Sequence, residues 1–167
     1  MRQLNRLSTA GRTDQNKVLN FTFNGKSYQG VAGDTLASAL LANGVDVVGR
    51  SFKYARPRGI FGHGPEEPNA IIQLGSGAAT IPNLKATQVE LYEGLEAASV
   101  NGWPSVNFDL MGLIGAFGRL MPPGFYYKTF MYPKKLWMTY EHFIRKAAGL
   151  GSSPTERDPD SYEKLNQ

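Results

Sequence analysis

Cysteine is absent from all 167 residues. Disulfides, thiolate nucleophiles, cysteine-ligated zinc and all-cysteine iron–sulfur clusters are excluded before any motif is read. Histidine is almost as scarce: His63 and His142 stand far apart with no partner at metal-ligand spacing, and both read as loop or surface side chains. Long apolar runs are missing too. Met1 to Leu7 lacks the apolar stretch of a signal peptide. The most apolar part, Leu110 to Met121, contains Arg119 and three glycines and stops at Pro122-Pro123, well short of the roughly 20 apolar residues of a membrane span. A cytoplasmic chain without a membrane partner is expected. No Gly-x-Gly-x-x-Gly sits between a strand and a helix, and Gly25-Lys26-Ser27 lacks the upstream glycine loop of a phosphate-binding turn.

What is present is a mildly basic, glycine- and proline-rich chain of net charge +4, with 19 Gly and 10 Pro. The charge is uneven. Residues 1–60 carry nine basic and three acidic side chains, whereas residues 61–167 carry nine and eleven. Val18 to Phe23 alternates apolar and polar residues at the strand period, Asn24-Gly25 is a type I′ turn signal, and Lys26 to Val31 is the natural return strand. In Gly33-Asp34-Thr35-Leu36-Ala37-Ser38-Ala39-Leu40-Leu41-Ala42-Asn43-Gly44, Asp34 or Thr35 can cap a helix that Gly44 ends. Residues 49–70 read as one long loop, and loops of that length usually serve a function or keep the trace of one. Strands are expected at Ala70 to Leu74 and Ala86 to Leu91. Hairpin, helix, loop and two further strands predict a small mixed α+β sheet with one crossing helix.

The part beyond residue 102 has another character. Trp103 to Phe143 holds 11 of the 19 aromatic residues and four of the five methionines. One helix is expected after Asp109, with Leu110, Leu113, Ile114, Phe117 and Met121 on one face and Gly112, Gly115 and Gly118 on another. A second begins at Pro133, carries Leu136, Tyr140, Phe143, Ile144 and Ala147 as an apolar stripe, and stops at Gly149. So many large side chains exceed what one small sheet can cover, and contact with another domain or subunit is expected.

Among chemistry-bearing candidates, Glu66-Glu67 is a weak acid–base pair, because adjacent side chains diverge and Pro65 and Pro68 frame the segment as a turn. The basic loop, with Arg50, Lys53, Arg56 and Arg58 interleaved with Phe52 and Tyr54, is the best binding surface. Such arginines bridge domains through carboxylates and backbone carbonyls, bind anions, or hold nucleic acid beside stacked aromatics. The first role is favoured, and nucleic acid is the least expected partner.

Residues 33–44, then Arg50-Ser51-Phe52-Lys53-Tyr54 with Arg56-Pro57-Arg58-Gly59, then Glu66-Glu67-Pro68-Asn69-Ala70, resemble the N-terminal region of the alpha subunits of heterotetrameric sarcosine oxidases. The resemblance implies a [2Fe–2S] ferredoxin-like β-grasp domain. Related amine and opine dehydrogenase subunits carry cluster cysteines after the Pro-Arg-Gly. Plant-type C-x4-C-x2-C spacing laid on this loop falls at Gly62, Glu67 and Ala70, with the fourth position near Thr87. None is a cysteine, which implies a cluster-free domain. The family's whole complex oxidatively demethylates sarcosine to glycine, with hydrogen peroxide and formaldehyde or methylene-tetrahydrofolate as products. It uses NAD, FAD, FMN, zinc and tetrahydrofolate, spread over alpha, beta and delta subunits beside gamma. No catalytic residue and no cofactor are expected in this chain itself. The implied division is a polar leader at 1–16, a cluster-free β-grasp domain at 17–102, a helical aromatic-rich extension at 103–150, and a linker at 151–167 leading toward a dinucleotide-binding domain. Expected partners are the remaining alpha domains and the beta, gamma and delta subunits. The competing readings are a fragment of a related amine, opine or proline dehydrogenase subunit with a lost iron–sulfur site and a free-standing basic nucleic-acid-binding module.

Overall fold

The computed structural model describes residues 3, 5–7, 11–52, 54–110, 112 and 133–157. The predicted hairpin is strands β1 (Asp14–Phe23) and β2 (Lys26–Ala32), paired antiparallel from Val18↔Val31 to Phe23↔Lys26. Asn24 and Gly25 take φ of 51° and 74°, the left-handed pair that a type I′ turn demands. The alternation read from sequence decides the faces, with Leu19, Phe21 and Phe23 buried and Asn20 exposed between them.

Helix α1 (Leu36–Ala42) follows. Its N-cap is Thr35, whose side chain accepts from the Ser38 N–H while the Ser38 side chain accepts from the Thr35 N–H, a reciprocal capping box. Asp34 has a different job: it is buried, accepts from the Val31 N–H at 3.0 Å and the Ser38 hydroxyl at 2.8 Å, and pairs with Arg6 from the leader. The leader is thereby tied to the body, helped by Gln3 donating to the Gln29 carbonyl at 2.6 Å and Asn5 to the Leu41 carbonyl at 3.1 Å.

The long loop is not continuous irregular chain. It opens on a short hairpin, β3 (Gly49–Arg50) against β4 (Pro57–Arg58). Strand β5 (Ile71–Leu74) lies where the sequence puts it, but its neighbours are β6 (Ile81–Lys85) and β7 (Leu95–Ser99) rather than a strand at 86–91. Residues 86–88 form a 3₁₀ turn, and Val89 and Leu91 bury beneath α1, with the Val89 carbonyl accepting from the Leu36 N–H at 2.8 Å. Their apolar period marks burial under a helix. Pro82, and Asn83 at φ 60°, disguise the real strand.

Among the described residues, the main sheet has the order β2-β1-β7-β5-β6, with β1 parallel to β7 and the other pairs antiparallel. This is the mixed sheet with a crossing helix of a β-grasp. Phe21, Leu36, Leu40, Ile72 and Leu95 form the fully buried centre, each contributing roughly 1.5–3 kcal/mol by burial.

The first predicted helix of the extension falls, from residue 113 on, outside the described residues, with Gly115 and Gly118. The helix that Asp109 is expected to cap lies with them; the Asp109 carboxylate accepts from the Trp103 N–H at 3.1 Å, and its carbonyl accepts from the Gly112 N–H at 3.1 Å. Helix α2 (Trp137–Ala148) follows a 3₁₀ turn at Lys134–Leu136 and stops at Gly149 with φ 74°. Its half-buried face runs through Trp137, Tyr140, Glu141, Ile144 and Ala148, whereas Phe143 is 72% and Met138 67% exposed. Phe143 is thus off the predicted stripe, and the Ala147 side chain lies outside the described part. Past Gly149, the Gly151 N–H donates to the Asn83 side chain at 3.0 Å, so the expected linker begins against β6.

Candidate functional site

Two adjoining pieces of the 49–70 segment carry the candidate residues. In the β3–β4 hairpin, Ser51 organises the tip. Its N–H donates to the Arg56 carbonyl, its carbonyl accepts from the Ala55 N–H, and its hydroxyl accepts from the Arg56 N–H, each at 2.9 Å. Ala55 is buried at φ 49°, a strained setting for a residue with a Cβ.

The four cations of this segment have separate fates. Arg50 points inward, donating from Nε to the Val106 carbonyl at 2.7 Å, from Nη1 to the Ala55 carbonyl at 2.9 Å and from Nη2 to the Asn107 carbonyl at 3.4 Å. Its backbone exchanges hydrogen bonds with the Asn101 side chain. Arg50 therefore straps the hairpin to the chain entering the extension, through main-chain carbonyls. Arg58 donates to the Asn69 side chain at 2.7 Å and so ties the hairpin to the loop beyond it. Arg56 faces outward with its guanidinium 5.0 Å from the centroid of the Tyr54 ring, and Tyr54 is 43% exposed. Lys53 lies outside the described residues. An open depression lined by Phe52, Tyr54, Arg56, Pro57 and Arg58 marks this outer face, and Phe61 stands nearby in the chain at 86% exposure.

The second piece is the loop from Gly59 to Ala70. Glu67 is fully buried. Its Oε2 accepts from the Phe61 N–H at 2.6 Å and from the Gly62 N–H; its Oε1 accepts from the Asn69 N–H at 2.7 Å and the Ala70 N–H at 3.3 Å. Burial pushes the Glu67 carboxyl up, but the four main-chain donors outweigh it and hold the group below the usual carboxylate range. Glu66 turns the other way, exposed, accepting from the His63 and Gly64 N–H groups at 3.1 and 3.0 Å. The two side chains do diverge, yet the segment is more than a turn, since between them they hold six N–H groups in place.

The loop brings together all four positions singled out by spacing. Gly62 and Ala70 donate to Glu67, and Thr87, buried, donates from its hydroxyl to the Gly64 carbonyl at 2.8 Å. Lys85 adds an ammonium contact to the Pro65 carbonyl. The residues do not fit a cluster. A Cβ at Gly62 would stand 3.0 Å from the Glu66 carboxylate and 3.2 Å from the Glu67 Cα, and the middle of the donor set is filled by the Glu67 side chain. Among the described residues, no group of three His, Cys, Asp or Glu could hold a metal ion. Sequence reasoning passed over Glu67 as an acceptor; the signal was a Glu between Pro65 and Pro68 in a glycine-rich loop, where free main-chain donors abound.

Residues 16–102 match the model of the 2Fe-2S iron-sulfur cluster binding domain. The chain belongs to that family. It is also a homologue of sarcosine oxidase subunit alpha: the protein from Rhizobium meliloti (strain 1021) is 57% identical over 160 residues, covering 95% of this chain and 16% of that relative. The Corynebacterium sp. (strain U-96) protein of the same name is 41% identical over 104 residues, 60% of this chain and 11% of its own length. The chain spans about a sixth or less of these curated relatives. Among solved structures, an L-proline dehydrogenase from P. horikoshii aligns at TM-score 0.41 and 26% identity over 59% of this chain and 17% of that one. Within the family this chain is a member without thiolate ligands, its loop closed around a carboxylate. No described helix is long and apolar enough to cross a membrane.

Proposed function

We propose that this chain is a non-catalytic assembly domain of a sarcosine oxidase of the alpha-subunit type. The whole complex oxidatively demethylates sarcosine to glycine, giving hydrogen peroxide with formaldehyde or methylene-tetrahydrofolate. NAD, FAD, FMN, zinc and tetrahydrofolate would be held elsewhere, on the remaining alpha domains and on beta and delta. Gly62, Glu67, Ala70 and Thr87 are, in this reading, vestigial cluster positions. The observation that carries it is the 57% identity over 95% of the chain, joined to a family loop that holds no thiolate.

Assembly rests on two outward features: the Tyr54–Arg56 edge of the hairpin, and the side of α2 that presents Met138, His142 and Phe143. Aromatics, methionine and arginine are favoured at protein interfaces. Arg50 and Arg58 are engaged within the chain, which argues against a nucleic-acid groove along the hairpin.

The test is co-purification of the tagged chain with the other alpha domains and the beta, gamma and delta subunits. Capture is expected, weakened by Arg56→Ala or Phe143→Ser without loss of folding. A chain that captures none of them overturns the reading.

A further inference from the structure

The donor set of the Glu67 loop carries more than the loss of a cluster. Main-chain N–H groups gathered into a concavity form an anion site, a device that recurs at phosphate and iron–sulfur centres. Here the donors come from both arms of the loop. Asn69 and Ala70 lie two and three residues downstream of Glu67, as in any local turn, but Phe61 and Gly62 lie six and five residues upstream. One carboxylate, two donors to each oxygen, therefore joins the two arms. A charge buried this completely is tolerated only when its hydrogen bonds are made, and no described buried side-chain nitrogen or oxygen lacks a partner.

We propose that the Glu67 carboxylate is the resident anion of this loop: a ligand supplied by the chain itself, seated on the N–H groups of both arms and holding the two arms together without metal. The loop is then a fixed support for the neighbouring hairpin, through Arg58 and Asn69, and has no vacancy for an external cluster. This inference does not rest on the assembly reading, and its failure would leave the co-purification result untouched.

The experiment is hydrogen–deuterium exchange of the intact protein as purified, read over residues 60–71, for the wild type and for Glu67→Gln. The wild type should show the Phe61, Gly62, Asn69 and Ala70 amides protected at least a hundredfold over an open chain. The glutamine keeps one acceptor oxygen but turns an NH₂ toward the other two donors, so at least two of the four amides should exchange tenfold faster or more. Wild-type amides that exchange as an open chain overturn the proposal, and that measurement stands even if the variant fails to fold. A folded Glu67→Gln protein with unchanged protection at all four positions overturns it equally.

Discussion

Glu67 and Asp34 are the two buried carboxylates of the described chain, and each is held differently. Glu67 is held by main-chain dipoles. Glu67→Gln leaves two buried donors without an acceptor, and a loss of roughly 1–3 kcal/mol is expected in urea unfolding. The pH dependence follows from the sign of the shift. The folded pKa lies below the unfolded one, so the stabilisation is fully present above the unfolded carboxylate range, about pH 4.3, and is lost as pH falls through the folded value. The wild type's advantage over Glu67→Gln should be constant from neutral pH to about 5 and shrink below about 4. Asp34 is held instead by Arg6, the Val31 N–H and the Ser38 hydroxyl. Arg6→Met strands part of a buried charge, and thermal unfolding should report a loss of about 3 kcal/mol. From sequence Asp34 reads only as a candidate helix cap and Glu67 as part of a turn, because a buried carboxylate and an exposed one look alike until the donors around them are placed in space.

At the scale of elements, the hairpin separates a strut from a contact. Arg50→Ala removes three bonds to carbonyls and should destabilise the chain by about 2 kcal/mol. Arg56→Ala should stay within about 0.5 kcal/mol and act on partner capture alone, as co-purification beside thermal melts would show. The opening hairpin and α1 are legible from residues because local signals agree there: alternation in Val18 to Phe23, Asn24-Gly25 at the turn, Thr35 at the cap. The far half of the sheet is not. Strand β7 is short and carries Ala97 and Ala98, and β6 contains Pro82, so both form through pairing with β5 rather than through propensity. Helix α2 stops at Gly149 as its residues predict but starts at Trp137 rather than Pro133. Tyr140 and Ile144 of the expected stripe lie on its half-buried face while Phe143, one position from Ile144, does not, a choice that only packing makes.

For the whole molecule, a family defined by cluster binding contains here a chain with no cysteine and a completed fold. The parallel β1–β7 pair, the crossing helix and the strapped leader enclose a core that owes nothing to metal ligation. A loop without thiolates is therefore compatible with this fold, its donors having the Glu67 carboxylate as acceptor. The most direct test is reconstitution of the purified protein with ferrous iron and sulfide under reducing conditions. Iron content and visible circular dichroism would be read after desalting and compared with an untreated sample. The account predicts no retained iron, no cluster signal and an unchanged melting temperature. Stoichiometric uptake of two iron atoms per chain with a [2Fe–2S] signal would contradict it.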